Sequence, residues 1–165
     1  MKQIRNRIVL TALMAVSSSG FAADTIAVKQ ISMELARDIA QKAIEACRKE
    51  GYQVSAVVVD RSGSPQAILR DTLAPKFTIE IAEKKANAVV LSGVASSVFR
   101  KNRSDIRMEM DHVTGIAMMD GGLPINAGGY FLGAIGVSGA PGGDKDEACA
   151  AKALEALTER LEFAD

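Results

Sequence analysis

One histidine, His112, occurs in the whole chain, and it stands among Met108, Met110, Met118 and Met119. Imidazole is the commonest axial donor to a haem iron, and a thioether can serve as well. The simpler reading is a partly exposed histidine at a helix end, with methionines filling irregular core space. Glu80 and Glu83 form a second group. Three residues apart on a helix they share a face, where two carboxylates can converge on a hard cation such as iron. Lys84 and Lys85 follow at once and can neutralise them, so a solvated helix face is the simpler account. Arg100, Lys101, Arg103 and Arg107 form a basic cluster that could hold carboxylates through charge-assisted hydrogen bonds. A hydrated helix face is again the plainer reading.

Residues 139–144 form a glycine-rich loop opening onto a helix, where free backbone N–H groups can bind an anion. The loop lacks the GK[ST] ending of a phosphate loop. The pattern before it is a hairpin rather than a βαβ unit, which excludes a dinucleotide fingerprint. Asp144 and Asp146 should cap the helix and repel an anion, which favours a structural loop. Hydrolase chemistry is poorly supported: there is no GxSxG motif, and a single histidine leaves little from which to build a nucleophile–base pair.

These residues need positioning elements, and the chain is organised around residues 121–151. A strand at 123–127 leads through Gly128-Gly129, a pair suited to a tight turn, into a second strand at 130–138. The second strand has no polar face and so belongs inside a sheet covered on both sides. Strict alternation puts Tyr130, Leu132, Ala134 and Gly136 on one face, and Phe131, Gly133, Ile135 and Val137 on the other. Gly133 and Gly136 would let a helix or a flat ligand come close to the sheet.

Elsewhere, Ser32 should cap a helix that ends at Gly51. Strands follow at 54–60 and 66–70, then a helix over 76–91 that Gly93 stops. Residues 94–111 suggest one or two short helices, 114–119 an extended segment, and 145–163 the last helix. The order α-β-β-α-(α)-β-β-α implies an α/β (α+β) fold: a three-layer α/β/α sandwich with a mainly antiparallel sheet.

The block GGLPI, then GAIGVSG, then the glycine-rich loop and Ala-rich helix resembles the GlcG/HbpS family, which is related to the PduO C-terminal domain. The resemblance runs from about Ile31 to the end of the chain. It implies a profilin-like sandwich, binding or degradation of haem, and a homo-oligomer. It also implies iron at a pair matching Glu80 and Glu83. Arg70 followed by an acidic residue and then Ala74-Pro75 matches a further family feature. On that basis Arg70 and Pro75, with Gly121 and Gly122, form a candidate ligand cleft; His112 is a candidate ligand on its side-chain chemistry alone, not on the resemblance. One departure is Ala88, where the family often has threonine.

The chain has 165 residues, a net charge of zero, and no basic excess or aromatic–basic interleaving of the kind a nucleic-acid binder shows. Residues 1–22 read as a signal peptide: Lys2, Arg5 and Arg7, a short apolar run, then small residues for cleavage after Ala22. Residues 23–30 form a leader, and 31–165 a single domain. Export places the protein in the periplasm or outside the cell, with no membrane attachment after cleavage. Cys47 and Cys149 could then form a disulfide if the first and last helices pack side by side. Two buried, inert thiols are the preferred reading, because disulfide geometry is demanding. The expected function is an exported binding protein for haem or a related tetrapyrrole. A haem-degrading or accessory role beside an oxidoreductase is one alternative, and a ligand-free structural or sensory oligomer another.

Overall fold

A computed structural model of the protein describes residues 24–163. The signal peptide expected over 1–22 lies outside these residues. Residues 24–30 form no helix or strand, are largely exposed and lead into Ile31, which is buried. The elements are α1 (Met33–Lys49), β1 (Ser55–Asp60), β2 (Pro65–Arg70), α2 (Phe77–Ser92), α3 (Ser96–Asn102), a 3-10 turn (Ser104–Ile106) and α4 (Arg107–Met110). Then come β3 (Gly122–Ala127), β4 (Tyr130–Ser138), α5 (Gly143–Glu155) and α6 (Thr158–Glu162). Every strand pair is antiparallel, in the order β2-β1-β4-β3. Helices α1 and α5 cover one face of the sheet and α2 covers the other. This is the expected three-layer sandwich.

Local signals explain most boundaries. The Ser32 side chain accepts a hydrogen bond from the Leu35 amide, 3.2 Å away, and caps α1. Gly93 takes a left-handed conformation (φ 72°) and ends α2. The segment 114–119 forms no strand. The expected last helix breaks in two between Glu155 and Thr158, where the Thr158 hydroxyl donates to the Glu155 carbonyl (2.8 Å). The break turns α6 so that the Leu161 carbonyl meets the Gly128 amide at the hairpin turn, 3.3 Å away.

Strict alternation fails in β4. Leu132 packs with Ile135 and Val137 against α1 and α5, while Ala134 and Phe131 face α2. The cause is a bulge: Ile125 pairs with Gly133 and Asn126 with Phe131, so Leu132 has no partner in β3. Gly133 takes the bend with φ +149°.

The close approach at the glycines is made by a helix. A Cβ on Gly136 would lie 1.9 Å from the Ala82 carbonyl oxygen, and one on Gly122 would lie 2.5 Å from that of Lys85. Gly122 and Gly136 face each other across the β3–β4 ladder, so α2 rests its backbone on a bare strip of sheet. No flat ligand can enter there.

Cys47 on α1 and Cys149 on α5 form a disulfide, with Cα atoms 5.3 Å apart. The expectation of free thiols is therefore wrong. Both helices lie side by side on the same sheet face, and each turns its cysteine into the shared core. The bridge spans 102 residues of sequence. In the chain-entropy account such a loop is worth on the order of 4 kcal/mol. Replacing both cysteines with alanine should lower stability by about 2–5 kcal/mol, read as a reduced urea midpoint. Gly136→Ala should be more damaging, because the added methyl meets backbone that cannot swing aside. Its loss should show as an unfolded circular-dichroism spectrum or a large fall in Tm.

Candidate functional site

The polar centre of the molecule lies where α2, the end of β4 and the start of α5 converge. Lys85, on α2, is 2% exposed. Its Nζ donates to the Val137 carbonyl (3.0 Å) and to Asp146 Oδ2 (2.7 Å). Asp146 is 3% exposed, and its other oxygen accepts from the Ala140 amide (3.0 Å). Burial pushes the Asp146 carboxyl above the ordinary aspartate range, with the Lys85 charge and hydrogen bond working in the opposite direction. Gly121 is packed against this pair: a Cβ there would come within 2.9 Å of both Lys85 Nζ and Asp146 Cβ.

A pocket of ≈ 400 Å³ opens above the pair. Its floor includes Lys85 and Asp146, and its rim is the loop 139–143. Arg100, Arg107, Met118, Met119 and Ile81 complete the lining. Arg100 is tied to Asp120, with Nη2 donating to Oδ2 at 2.9 Å and Nε 2.8 Å from Oδ1. Arg107 is exposed and has no ion-pair partner among the described residues. Helix α5 is preceded by Gly142, which makes no side-chain cap, and the Lys145 and Asp146 amides both bond the Gly142 carbonyl (3.0 and 3.1 Å). Three cations against two carboxylates leave the lining net positive, a setting for an anionic group. Of the two acidic residues expected to repel an anion, only Asp146 is turned away; Asp144 keeps its carboxylate against Gly142 at the helix start. Asp146 is turned inward onto Lys85, and Asp144 is exposed beside Lys145 (3.6 Å).

The other site residues named from sequence lie elsewhere. Arg70 ends β2, at the opposite sheet edge from Gly122 on β3, with β1 and β4 between them. Arg70 Nη1 instead donates to the carbonyls of Asp71 (3.1 Å), Thr72 (3.2 Å) and Ala74, pinning the connection into α2. Pro75 is exposed, and its carbonyl accepts from the Thr78 amide and hydroxyl. Of that proposed cleft only Gly121 and Gly122 border the polar centre. His112 stands exposed on the turn after α4, and the pocket does not include it. Glu80 is exposed and bound to Lys84 (2.6 Å), which holds its carboxyl below the usual range. Glu83 is half-buried on the same helix. No group of three or more His, Cys, Asp or Glu that could hold a metal ion occurs among the described residues.

A second depression of ≈ 430 Å³ lies between the β3–β4 turn and α5–α6. Its only ionisable lining groups are Glu155 and Glu162, both exposed, so it offers little chemistry. Sequence reasoning passed over Lys85, reading it as a solvated neighbour of the acidic pair. The available signal was its position: Lys85 lies three residues after Ala82 and one before Ala86, on the face that α2 turns to the sheet.

The family described as "Haem degrading protein HbpS-like" matches residues 31–155. The chain belongs to the HbpS-like family. A crystal structure of HbpS is 32% identical, with a TM-score of 0.76 over 84% of this chain and 98% of that one. A double Glu→Asp variant of Streptomyces reticuli HbpS is 31% identical, with a TM-score of 0.76 over 87% and 97%. PduOC, solved in complex with heme, shares the fold at 21% identity, with a TM-score of 0.67 over 78% and 95%. No curated protein matches the sequence.

The HbpS-like core around Lys85 and Asp146 gives a clear energetic expectation. Lys85→Met strands a carboxylate in the core and should cost about 3–5 kcal/mol. Lys85→Met combined with Asp146→Leu should recover much of that loss, since the desolvation penalty disappears with the charges. Urea denaturation of the single and double variants checks both.

Proposed function

We propose that the protein is an exported binding protein for haem or a related carboxylate-bearing tetrapyrrole. The observation that carries this reading is the pocket with Arg100 and Arg107 on its walls and Met119 and Ile81 as its apolar side. A haem needs apolar contact for its ring, cations for its propionates and an axial donor. This lining offers the cations, with apolar contact from Ile81 and Met119. Arg107, uncompensated, and Arg100, shared with Asp120, would hold the carboxylates. A bound haem would supply iron for ligand binding or redox chemistry. Membership of a family described as haem-degrading, and the heme held by PduOC, support the ligand class.

Export is supported by the Cys47–Cys149 bridge, since such bridges persist in oxidising compartments. No helix among the described residues is long and apolar enough to cross a membrane. A homo-oligomer belongs to the same reading. Leu73, Phe77 and Leu91, exposed on and beside α2, are the apolar groups a second copy would cover. Iron at Glu80 and Glu83 remains a separate proposal, resting on their shared helix face.

The family description favours one second reading, in which bound haem is degraded. Adding a reductant separates the two: a lasting Soret band marks a carrier, whereas bleaching with iron release marks degradation.

Binding itself is tested by haem titration of the protein lacking residues 1–22. Arg100→Ala combined with Arg107→Ala should weaken affinity by about 10-fold or more, from the loss of charge-assisted hydrogen bonds. Unchanged affinity in the double variant would remove this pocket as the carboxylate site.

A further inference from the structure

We infer that Ser138, Lys85 and Arg107 form a seat for the carboxylate of a small, singly charged organic acid beneath the loop 139–143. The inference goes beyond the tetrapyrrole reading, because it needs no flat ring. Ser138 ends β4. Ala134 packs against α2, and a Cβ on Gly136 would meet the Ala82 carbonyl of that helix, so alternation turns Ser138 toward α2 as well. Its ladder partner is Ser55. The Thr78 hydroxyl donates to the Pro75 carbonyl (2.7 Å), so Ser55 spends its proton on Thr78 Oγ1 (2.8 Å). Ser138 has no such outlet. It is 5% exposed, borders the pocket, and its hydroxyl makes no hydrogen bond among the described residues. A buried hydroxyl without a partner is costly, and in folded proteins it is normally met by a neighbour, a water or a ligand.

Two further donors border the same pocket. The Lys85 ammonium has three N–H groups, of which Val137 and Asp146 take two. The Arg107 guanidinium has no ion-pair partner among the described residues. A hydroxyl, an ammonium proton and a guanidinium can all donate at once to an oxyanion. The charges of the lining set its valence. Lys85 is matched by Asp146 and Arg100 by Asp120, which leaves Arg107 as the uncompensated cation. Asp144 keeps a carboxylate against Gly142, which belongs to the rim. One negative charge is therefore accommodated and a second repelled, which favours a carboxylate over a dianion such as sulfate. A pocket of ≈ 400 Å³ admits a small acid, and Ile81 and Met119 give its carbon end an apolar edge.

The test records amide NMR spectra of the protein lacking residues 1–22 during titration with sodium acetate, sodium sulfate and sodium chloride at equal ionic strength. Acetate should shift the amides of Gly139, Ala140, Gly142 and Gly143 to saturation. Sulfate should bind about 10-fold more weakly, and chloride should leave the amides in place. Ser138→Ala and Arg107→Gln should each weaken acetate binding by about 10-fold. Ser138→Ala should keep the wild-type Tm, since the hydroxyl has no protein partner to lose. No saturable shift with acetate would overturn the seat. Wild-type affinity in either variant would overturn it too, and in Ser138→Ala would leave a water as the partner of that hydroxyl. Sulfate binding as tightly as acetate would overturn the assignment to a singly charged acid. Haem titration of the same samples keeps the two readings apart. Haem binding where acetate fails removes this seat alone, and acetate binding where haem fails removes the tetrapyrrole reading alone.

Discussion

The ion pair between Lys85 and Asp146 joins α2 to two consecutive elements more than 50 residues further along the chain. Lys85 comes from the middle of α2, Asp146 from the first turn of α5, and the carbonyl between them from Val137 near the end of β4. Both side chains are nearly without solvent. Bringing two such charges out of water costs several kcal/mol per ion before their attraction offsets it. The pair is tolerable because the remaining polar valences are largely met, by Val137 on one side and the Ala140 amide on the other. What it provides is position. It fixes the glycine-rich loop above the end of the sheet, and that loop is the rim of the pocket.

The glycines around the pair follow from the same constraint. Lys85 can reach Val137 only if α2 sits very close to the sheet, and Gly122 and Gly136 remove the side chains that would hold it off. Gly121 leaves room for the lysine head itself. On the opposite face, the disulfide clamps α1 to α5, so the helix carrying Asp146 is tied to the core from behind as well. Charge, close backbone contact and covalent bridge converge on α5. Its start is thereby tied to the rim of the pocket.

The pocket's character is set by what its charges are doing. Asp146 neutralises Lys85 below, and Asp120 engages Arg100 at the side. Arg107 is left uncompensated at the edge. A ligand with carboxylates and an apolar edge suits such a wall: charge on one side, Met119 and Ile81 on the other. Membership of the HbpS-like family makes a tetrapyrrole the natural candidate.

Much of the fold was legible in the sequence, because local rules dominate there. Ser32, Gly93 and the Gly128-Gly129 turn act within a few residues, and the all-apolar 130–138 run could only be a central strand. The candidate site was legible in part: the basic cluster, the glycine-rich loop and the methionines could be named but not brought together. The bulge at Leu132 depends on its pairing with β3, and the disulfide on how two helices 102 residues apart lie against each other. Arg70 looked like a ligand residue until its loop carbonyls were seen to use its guanidinium. Lys85 looked solvated because two acidic residues and a second lysine surround it in sequence. Residue types and local spacing thus determined the elements and their order. Only the tertiary structure decided which charges are buried, because burial depends on neighbours that the linear chain does not place side by side.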